Sequence, residues 1–457
     1  MLKKSIRILF FAVLLLVFAA CANTAAGYNP YTPEEVQNNS DEVMLGFPIM
    51  RIYSEYHPFE VEREFWHDGI ISIENAEDSW LLDETNVRLR GRGNSTWRYG
   101  PEKRPLRLRF NEEDTALLGS ETAHRDWILI ANHFDLSLMR NYAAFLFGEA
   151  LGGMSFVPMA RFVHLYINDE YVGLYFLTDE RDIGEGRVDI EFNEDPTLSG
   201  IFLELNGHIS DELGGWLAEG HYQDEDYFVI YGRAYDMRWP SQNQDNGHFA
   251  YARHYFNRLS SAIRRHQLDV VKSMIDMQSF IDFYIVQEMM KNADVGFFSV
   301  FMYISGTGDD RRLFFGPLWD FDQSAGNVTG NDNGVLHPDG IYAGIWNYWY
   351  RYLLEIDEFA DMIAERLYEV SDALYGVIRH LENITDVYNA DFNRNFEVHN
   401  HIFELLPNET TRLGERLEWA WVLAPQIRRM HSFDEQAEFL INWLDQRLDW
   451  LLEHYSR

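Results

Sequence analysis

Asn292–Gly326 reads NADVGFFSVFMYISGTGDDRRLFFGPLWDFDQSAG. The apolar-periodic run before it, Ser279–Lys291 (SFIDFYIVQEMMK), has helical spacing, so Asp294 falls just past a helix end. Two short strands follow, Ser299–Ile304 (SVFMYI) and Arg312–Phe315 (RLFF), joined by the turn Ser305–Asp310. The second strand delivers Asp320 and Asp322 in the run Trp319-Asp320-Phe321-Asp322. Acidic residues at the end of an apolar strand, beside a flexible glycine, are poor structural choices and good ligands. Hard cations such as Mg²⁺ take one or two carboxylates together with phosphate oxygens. A helix end offering one Asp and a hairpin offering two more has the layout of a phosphoryl-transfer site. The competing reading is a solvated hairpin followed by an acidic loop.

Composition bounds the rest. The chain of 457 residues is long enough for two lobes, each with its own core. With 46% hydrophobic and 15% aromatic residues, it is a packed globular protein rather than a disordered one. The formal net charge of -35 repels nucleic-acid phosphates and excludes DNA or RNA as a partner. Most of that charge needs no explanation beyond solubility.

Residues 1–21 are read as a targeting segment. Lys3, Lys4 and Arg7 form a positive n-region, Ile8–Phe18 an apolar core, and Ala19-Ala20-Cys21 a small-residue cleavage site. Cys21 is the single cysteine of the chain. The ending Phe-Ala-Ala-Cys resembles the bacterial lipoprotein box, which implies lipidation of Cys21 and anchoring to the outer face of the cytoplasmic membrane. Residues 22–42 are polar, contain Pro30 and Pro33, and read as a tether.

From Val43 the text is strand-like. Arg88–Trp97 reads RLRGRGNSTW and Lys103–Phe110 reads KRPLRLRF. The alternation from Leu106 predicts a half-buried strand, with Leu106, Leu108 and Phe110 on one face and Arg107 and Arg109 on the other. Eight basic residues lie between Arg88 and Arg109. A basic face on an acidic chain suggests an anion site, and phosphate is the obvious anion; pairing with local carboxylates is the alternative. Asp126–Phe147 passes from a strand into a helix that Asp135 or Ser137 can cap. Asn168-Asp169 marks a hairpin turn within Phe162–Ile190. Gly200–Asn206 is another buried strand. Helical text follows over Phe249–Arg264, Gln267–Met277, Ser279–Lys291, Glu355–Leu381 and Ser432–Tyr455.

Four blocks resemble, in order, the signatures of the spore-coat protein H (CotH) kinase family of atypical secreted protein kinases. They are R-G-R-G-N-S-T-W with K-R-P-L-R-L-R, then W-I-L-I-A-N-H-F-D-L-S-L-M-R-N, then L-Y-I-N-D-E-Y-V-G-L-Y-F-L-T-D, and lastly P-L-W-D-F-D-Q-S-A-G after Asp294. The resemblance implies an α+β, divergent protein-kinase-like fold of two lobes. A β-rich N-terminal lobe would span 43–206 and a mainly helical C-terminal lobe 207–457. It implies transfer of the ATP γ-phosphoryl group to Ser or Thr hydroxyls of a protein, with Mg²⁺ or Mn²⁺. By position, Asp294 would orient the hydroxyl and accept its proton, and Asp320 and Asp322 would hold the metal. Lys103, with Arg107 as fallback, would contact phosphate, and Asp179 or Glu180 would pair with that cation. Asp135, Arg140 and Asn141 match a helix cap and a polar network. Three positions depart from the family: Asp179 replaces a Glu, Arg181 an apolar residue, and Ser299 an Asn metal ligand. These departures keep open a catalytically silent surface binding module. A carboxylate-pair glycosidase with Trp346, Trp349 and Tyr350 stacking on sugars is a further alternative.

Overall fold

The computed structural model describes residues 46–55, 63–93, 96–97, 103–110, 115–209, 222–223, 227–241, 244, 247–328, 334–399 and 426–456. The targeting segment, Cys21, the tether, and Asn94 and Ser95 of the glycine-arginine motif lie outside these residues.

Strands β1 (Ile49–Ser54), β2 (His67–Glu74), β3 (Leu82–Gly91), β4 (Leu106–Phe110), β5 (Asp126–Ile130), β6 (Arg161–Ile167) and β7 (Glu170–Asp179) form a closed barrel in the order β1-β2-β3-β4-β5-β7-β6. The β4 alternation holds: Leu106, Leu108 and Phe110 are buried and Arg107 and Arg109 only half-buried. The turn between β6 and β7 is Asn168-Asp169, both with positive φ (51° and 66°), as a two-residue hairpin of right-handed twist requires. Parallel pairing of β1 with β6, Ile49 opposite His164, closes the barrel.

A second, six-stranded sheet runs β13-β12-β8-β11-β10-β9. Its strands are β8 (Ile201–Leu205), β9 (Tyr222–Gln223), β10 (Tyr227–Ile230), β11 (Arg233–Trp239), β12 (Val300–Ser305) and β13 (Arg312–Phe315). The expected hairpin is therefore present, with Ser305 opposite Arg312. The sequence reading ended the β-rich lobe at 206, yet β8 pairs with β11 and β12. That boundary cuts through the second sheet.

The helices are α1 (Arg140–Leu151), α2 (His248–Arg264), α3 (Leu268–Lys272), α4 (Met277–Met290), α5 (Ala343–Trp346), α6 (Tyr348–Leu353), α7 (Asp357–Val387), α8 (Asn389–His399) and α9 (Phe433–His454). The Asp276 carboxylate caps α4 by accepting from the Ser279 N–H at 2.8 Å. The helix expected over Gln267–Met277 stops at Lys272. Ile275 bridges to Leu313, and the Asp276 N–H donates to the Leu313 carbonyl at 2.9 Å. Sheet pairing has replaced the last turns of that helix.

Mixed α+β architecture is thus observed. The expected division into two separate cores is not. One contiguous cluster of buried side chains joins barrel residues such as Val87 and Leu108 to helical residues such as Phe283, Leu374 and Leu444.

Candidate active site

Chain geometry brings the three expected aspartates together. Helix α4 ends where Lys291 adopts left-handed φ (44°), turning the backbone into the loop that carries Asp294. Asn292 Oδ1 accepts from the Asp294 N–H at 3.0 Å, and the Asp294 carbonyl accepts from Phe297 and Phe298 N–H at 2.8 and 2.9 Å. Gly296 lies so close to the Trp346 carbonyl that a Cβ could not be placed there. The Ala293 N–H donates to the Gln323 carbonyl at 2.9 Å, which sets this loop alongside the one carrying Asp320 and Asp322.

The second loop is held from α1. Asn141 Oδ1 accepts from the Phe321 N–H at 2.8 Å. Arg140, fully buried and ion-paired with Asp135, donates to the Ser324 and Ala325 carbonyls at 2.9 and 3.2 Å. Asn327 Nδ2 donates to the Asp322 carbonyl at 2.7 Å. Met139, not Asp135 or Ser137, stands at the N-cap of α1 and has no side-chain cap, although Asp135 Oδ2 accepts from the Arg140 N–H at 2.7 Å. The expected polar network is present, and it holds the aspartate loop. Asp320 and Ser299 both hold left-handed φ, 65° and 54°. For residues other than glycine this conformation costs on the order of 1–3 kcal/mol and concentrates at functional sites.

Electrostatics show what the arrangement favours. Burial, then the charges of Asp320 and Asp322, push the Asp294 carboxyl well above the usual carboxylate range. Burial, then Asp320 and Asp135, push Asp322 up to about 8, against the opposing pull of Arg140. Each residue is half-buried overall, with its carboxyl set deep enough to lose much of its hydration. Two such carboxyls, both raised by the charge of Asp320, are unfavourable as anions until a cation joins them. Their hard oxygens, together with the Ser299 hydroxyl, suit Mg²⁺ or Mn²⁺. Among the described residues no group of three or more His, Cys, Asp or Glu side chains is placed to hold a metal ion by itself. The donor set fits a metal shared with phosphate oxygens, as Mg²⁺ prefers, rather than an all-protein site.

Beside Asp320 stands a group of arginines. Arg92 and Arg181 lie over the Trp319 ring at 5.4 and 4.6 Å, and Arg181 also lies over Phe301 at 4.8 Å. Burial, then the Arg181 charge, lower Arg92 to about 10, with Glu180 and Asp320 opposing. A buried guanidinium with a cationic neighbour, next to a carboxylate trio, is suited to an anion between them. The sequence reading passed over both residues. Arg92 was visible in the basic cluster, while Arg181 was noted only as a departure from an apolar pattern.

The remaining expectations divide. Arg107 Nη1 pairs with Glu180 at 3.3 Å, and its Nη2 with Asp126 at 3.0 Å. Burial raises the Glu180 carboxyl, but Arg181, Arg107, Arg92 and Arg187 together outweigh it and hold it below the ordinary value. Lys103 does not join this group. Its buried ammonium donates to the Leu174 carbonyl at 2.7 Å and lies 5.2 Å from the Tyr175 ring centroid. Desolvation lowers it to about 7. Asp179 faces inward, accepting from the Met159 N–H at 2.8 Å and from Arg187 Nε at 3.2 Å. The expected pairing of Lys103 with Asp179 or Glu180 is therefore replaced by Arg107 with Glu180. Asp179 is the last residue of β7 and Glu180 the first beyond it; both are buried, and they meet different arginines.

Of the three residues expected to stack on sugars, only Trp346 is partly exposed. Trp349 and Tyr350 are buried and donate to Ser260 Oγ and the Phe280 carbonyl, at 2.9 and 2.8 Å.

The sequence model of the family described as CotH kinase protein matches residues 89–451. No curated protein matches the chain.

Proposed function

The chain belongs to the CotH kinase family, and from that premise we propose that it transfers the ATP γ-phosphoryl group to Ser or Thr hydroxyls of a secreted or cell-surface protein. The observation that carries the reading is the convergence of Asp294, Asp320 and Asp322 beside Arg92 and Arg181. Phosphoryl transfer depends on positioning and charge neutralisation more than on covalent catalysis. Asp320, Asp322 and Ser299 would hold Mg²⁺ or Mn²⁺, which would neutralise phosphate charge. Arg92 and Arg181 bind and orient the phosphates, and Glu180 fixes Arg181 through a 3.1 Å contact. Asp294 orients the acceptor hydroxyl and takes its proton as oxygen bonds to the γ-phosphorus and ADP leaves. Lys103 could reach a phosphate only by leaving the Leu174 carbonyl, so the arginines carry that role here. In this reading the closed barrel is the N-terminal lobe, and the second sheet with α2–α9 forms the other.

The test is incubation of the protein with labelled ATP and Mg²⁺ or Mn²⁺, scoring phosphate on the protein itself and on added Ser-containing protein. Nucleotide binding without any transfer would favour the silent surface module. One observation favours that alternative: Ser299, in place of the family's Asn, spends its hydroxyl on Asp320.

We also propose anchoring through lipidated Cys21 at the outer face of the cytoplasmic membrane. Among the described residues no helix is long and apolar enough to cross a membrane. Cys21→Ser should remove lipid label and release the protein from membranes; unchanged labelling would rule the anchor out.

A further inference from the structure

Among the described residues, the outer face of β3 and β4 carries more arginines than carboxylates paired with them. Arg88 stands directly opposite Arg109, and Arg90 opposite Arg107. Like charges paired across strands are unfavourable, so this register needs a compensating anion. Two carboxylates serve it. Asp126 accepts from Arg109 Nε at 2.6 Å and from Arg107 Nη2 at 3.0 Å, and Glu180 faces Arg107. Asp68 lies opposite Arg88 in register on β2. Among the described residues, the buried Nε atoms of Arg88 and Arg90 have no hydrogen-bond partner. Crowding by Arg107 and Arg109, on top of burial, lowers the Arg90 guanidinium. Trp66 covers this face, with the guanidinium groups of Arg88, Arg90 and Arg109 at 5.7, 4.8 and 4.5 Å from its ring. An indole over three guanidinium planes holds them in a fixed comb.

Direction along the strand gives this face its meaning. Arg88, Arg90 and Arg92 follow at alternate positions, so the comb leads to the arginine beside Trp319 and Asp320. At roughly 3.3 Å per residue, Arg88 is about 13 Å from Arg92. An extended peptide lying along this row would span it in about four residues. On a chain of net charge -35, a surplus of arginine at this one place is complementary to carboxylate side chains.

We propose that the outer face of β3–β4, capped by Trp66, docks an acidic segment of the protein substrate flanking its acceptor hydroxyl. This rests on the phosphoryl-transfer reading for the meaning of substrate, but the docking is measurable without any transfer.

The experiment compares two labelled peptides of equal length, one with Ser flanked by Glu and one with Ser flanked by Lys. Binding is followed by fluorescence anisotropy on the full protein without nucleotide, at low salt and at about 0.3 M salt. The variants are Arg88→Ser/Arg90→Ser and Arg88→Lys/Arg90→Lys, with Mg²⁺-dependent ATP affinity measured on each. The parent should bind the Glu peptide and not the Lys peptide, more weakly at high salt. The Ser variant should lose about tenfold or more in peptide affinity, since each charged hydrogen bond contributes about 1.5–3 kcal/mol. ATP affinity should stay unchanged, and the Lys variant should keep part of the peptide binding, which shows that the face remains folded. No binding of the Glu peptide, or equal binding by the Ser variant, overturns the proposal. Loss of ATP affinity instead of peptide affinity overturns it too, by assigning the comb to the nucleotide. Docking of the Glu peptide with no phosphate transfer to it would leave the strip standing and sink the kinase reading.

Discussion

Ser299 Oγ donates to Asp320 Oδ2 at 3.0 Å, and both residues hold left-handed backbone. Ser299, where the family resemblance implies an Asn, is thus aimed at Asp320 by its backbone as well as its side chain. Left-handed φ is among the conformations Asn tolerates best. Ser299→Asn should fold as the parent does and raise Mn²⁺ or Mg²⁺ affinity roughly fivefold, about 1 kcal/mol. Calorimetric titration with Mn²⁺ in the presence of a non-hydrolysable ATP analogue reads this directly. An affinity equal to the parent's removes Ser299 from the metal site.

The two classes of aspartate should separate kinetically. Asp294→Asn should lower kcat by about 10²–10⁴-fold and leave ATP affinity nearly intact, because a general base acts on the transition state. Asp320→Asn should lose both turnover and Mg²⁺-dependent ATP binding, with partial rescue at raised metal. Asp322→Asn should behave like Asp320→Asn. Equal losses of ATP affinity in all three variants would contradict the division of roles.

Arg140 is a positioning residue, and its removal should act on stability first. Arg140→Met leaves Asp135 buried without its partner and frees the Ser324 and Ala325 carbonyls. Breaking a buried pair this way costs about 3–5 kcal/mol. Urea unfolding measures it, and the double variant Asp135→Leu/Arg140→Met should recover part of the loss. A double variant no better than Arg140→Met would mean that the carbonyl contacts, not the ion pair, hold the loop.

Lys103 gives a pH dependence with a definite sign. Its folded-state value is lowered from 10.5 to about 7 by desolvation. Between those two values the unfolded chain binds a proton that the folded chain does not, so this group's contribution to stability rises with pH there. Below about 7 the ammonium is charged in both states and the desolvation penalty is present in full. Lys103→Met should therefore stabilise the protein most at and below about pH 7, on the order of 5 kcal/mol less the lost bond to Leu174. The gain over the parent should shrink toward pH 10. Denaturant unfolding of both proteins at three pH values checks it; a difference constant with pH would show that burial leaves the ammonium unperturbed.

What could be read in advance was local. Asp294, Asp320 and Asp322 stand at the ends of elements whose periodicity is plain, so their placement near one another follows from a helix, a tight hairpin and short loops. The alternation in Leu106–Phe110 likewise declares which side chains face inward, because strand geometry fixes it at every second residue. The four motif blocks supplied the family, which the match over residues 89–451 shows.

The partners of each charge were a different matter. Lys103 and Arg107 stand four residues apart, and both looked able to meet Asp179 or Glu180. Only the closing of the barrel decides between them, through β5 against β7 and β1 against β6. That pairing brings Asp179 to Arg187 and Glu180 to Arg107, and it packs Lys103 against the Leu174 carbonyl. Arg92 and Arg181 become neighbours only because Trp319, from the far hairpin, fits between β3 and the end of β7. The sequence by itself determined which residues can carry charge and how each strand faces. Tertiary structure decided which charges meet, because contacts between distant segments depend on sheet order and burial rather than on spacing along the chain.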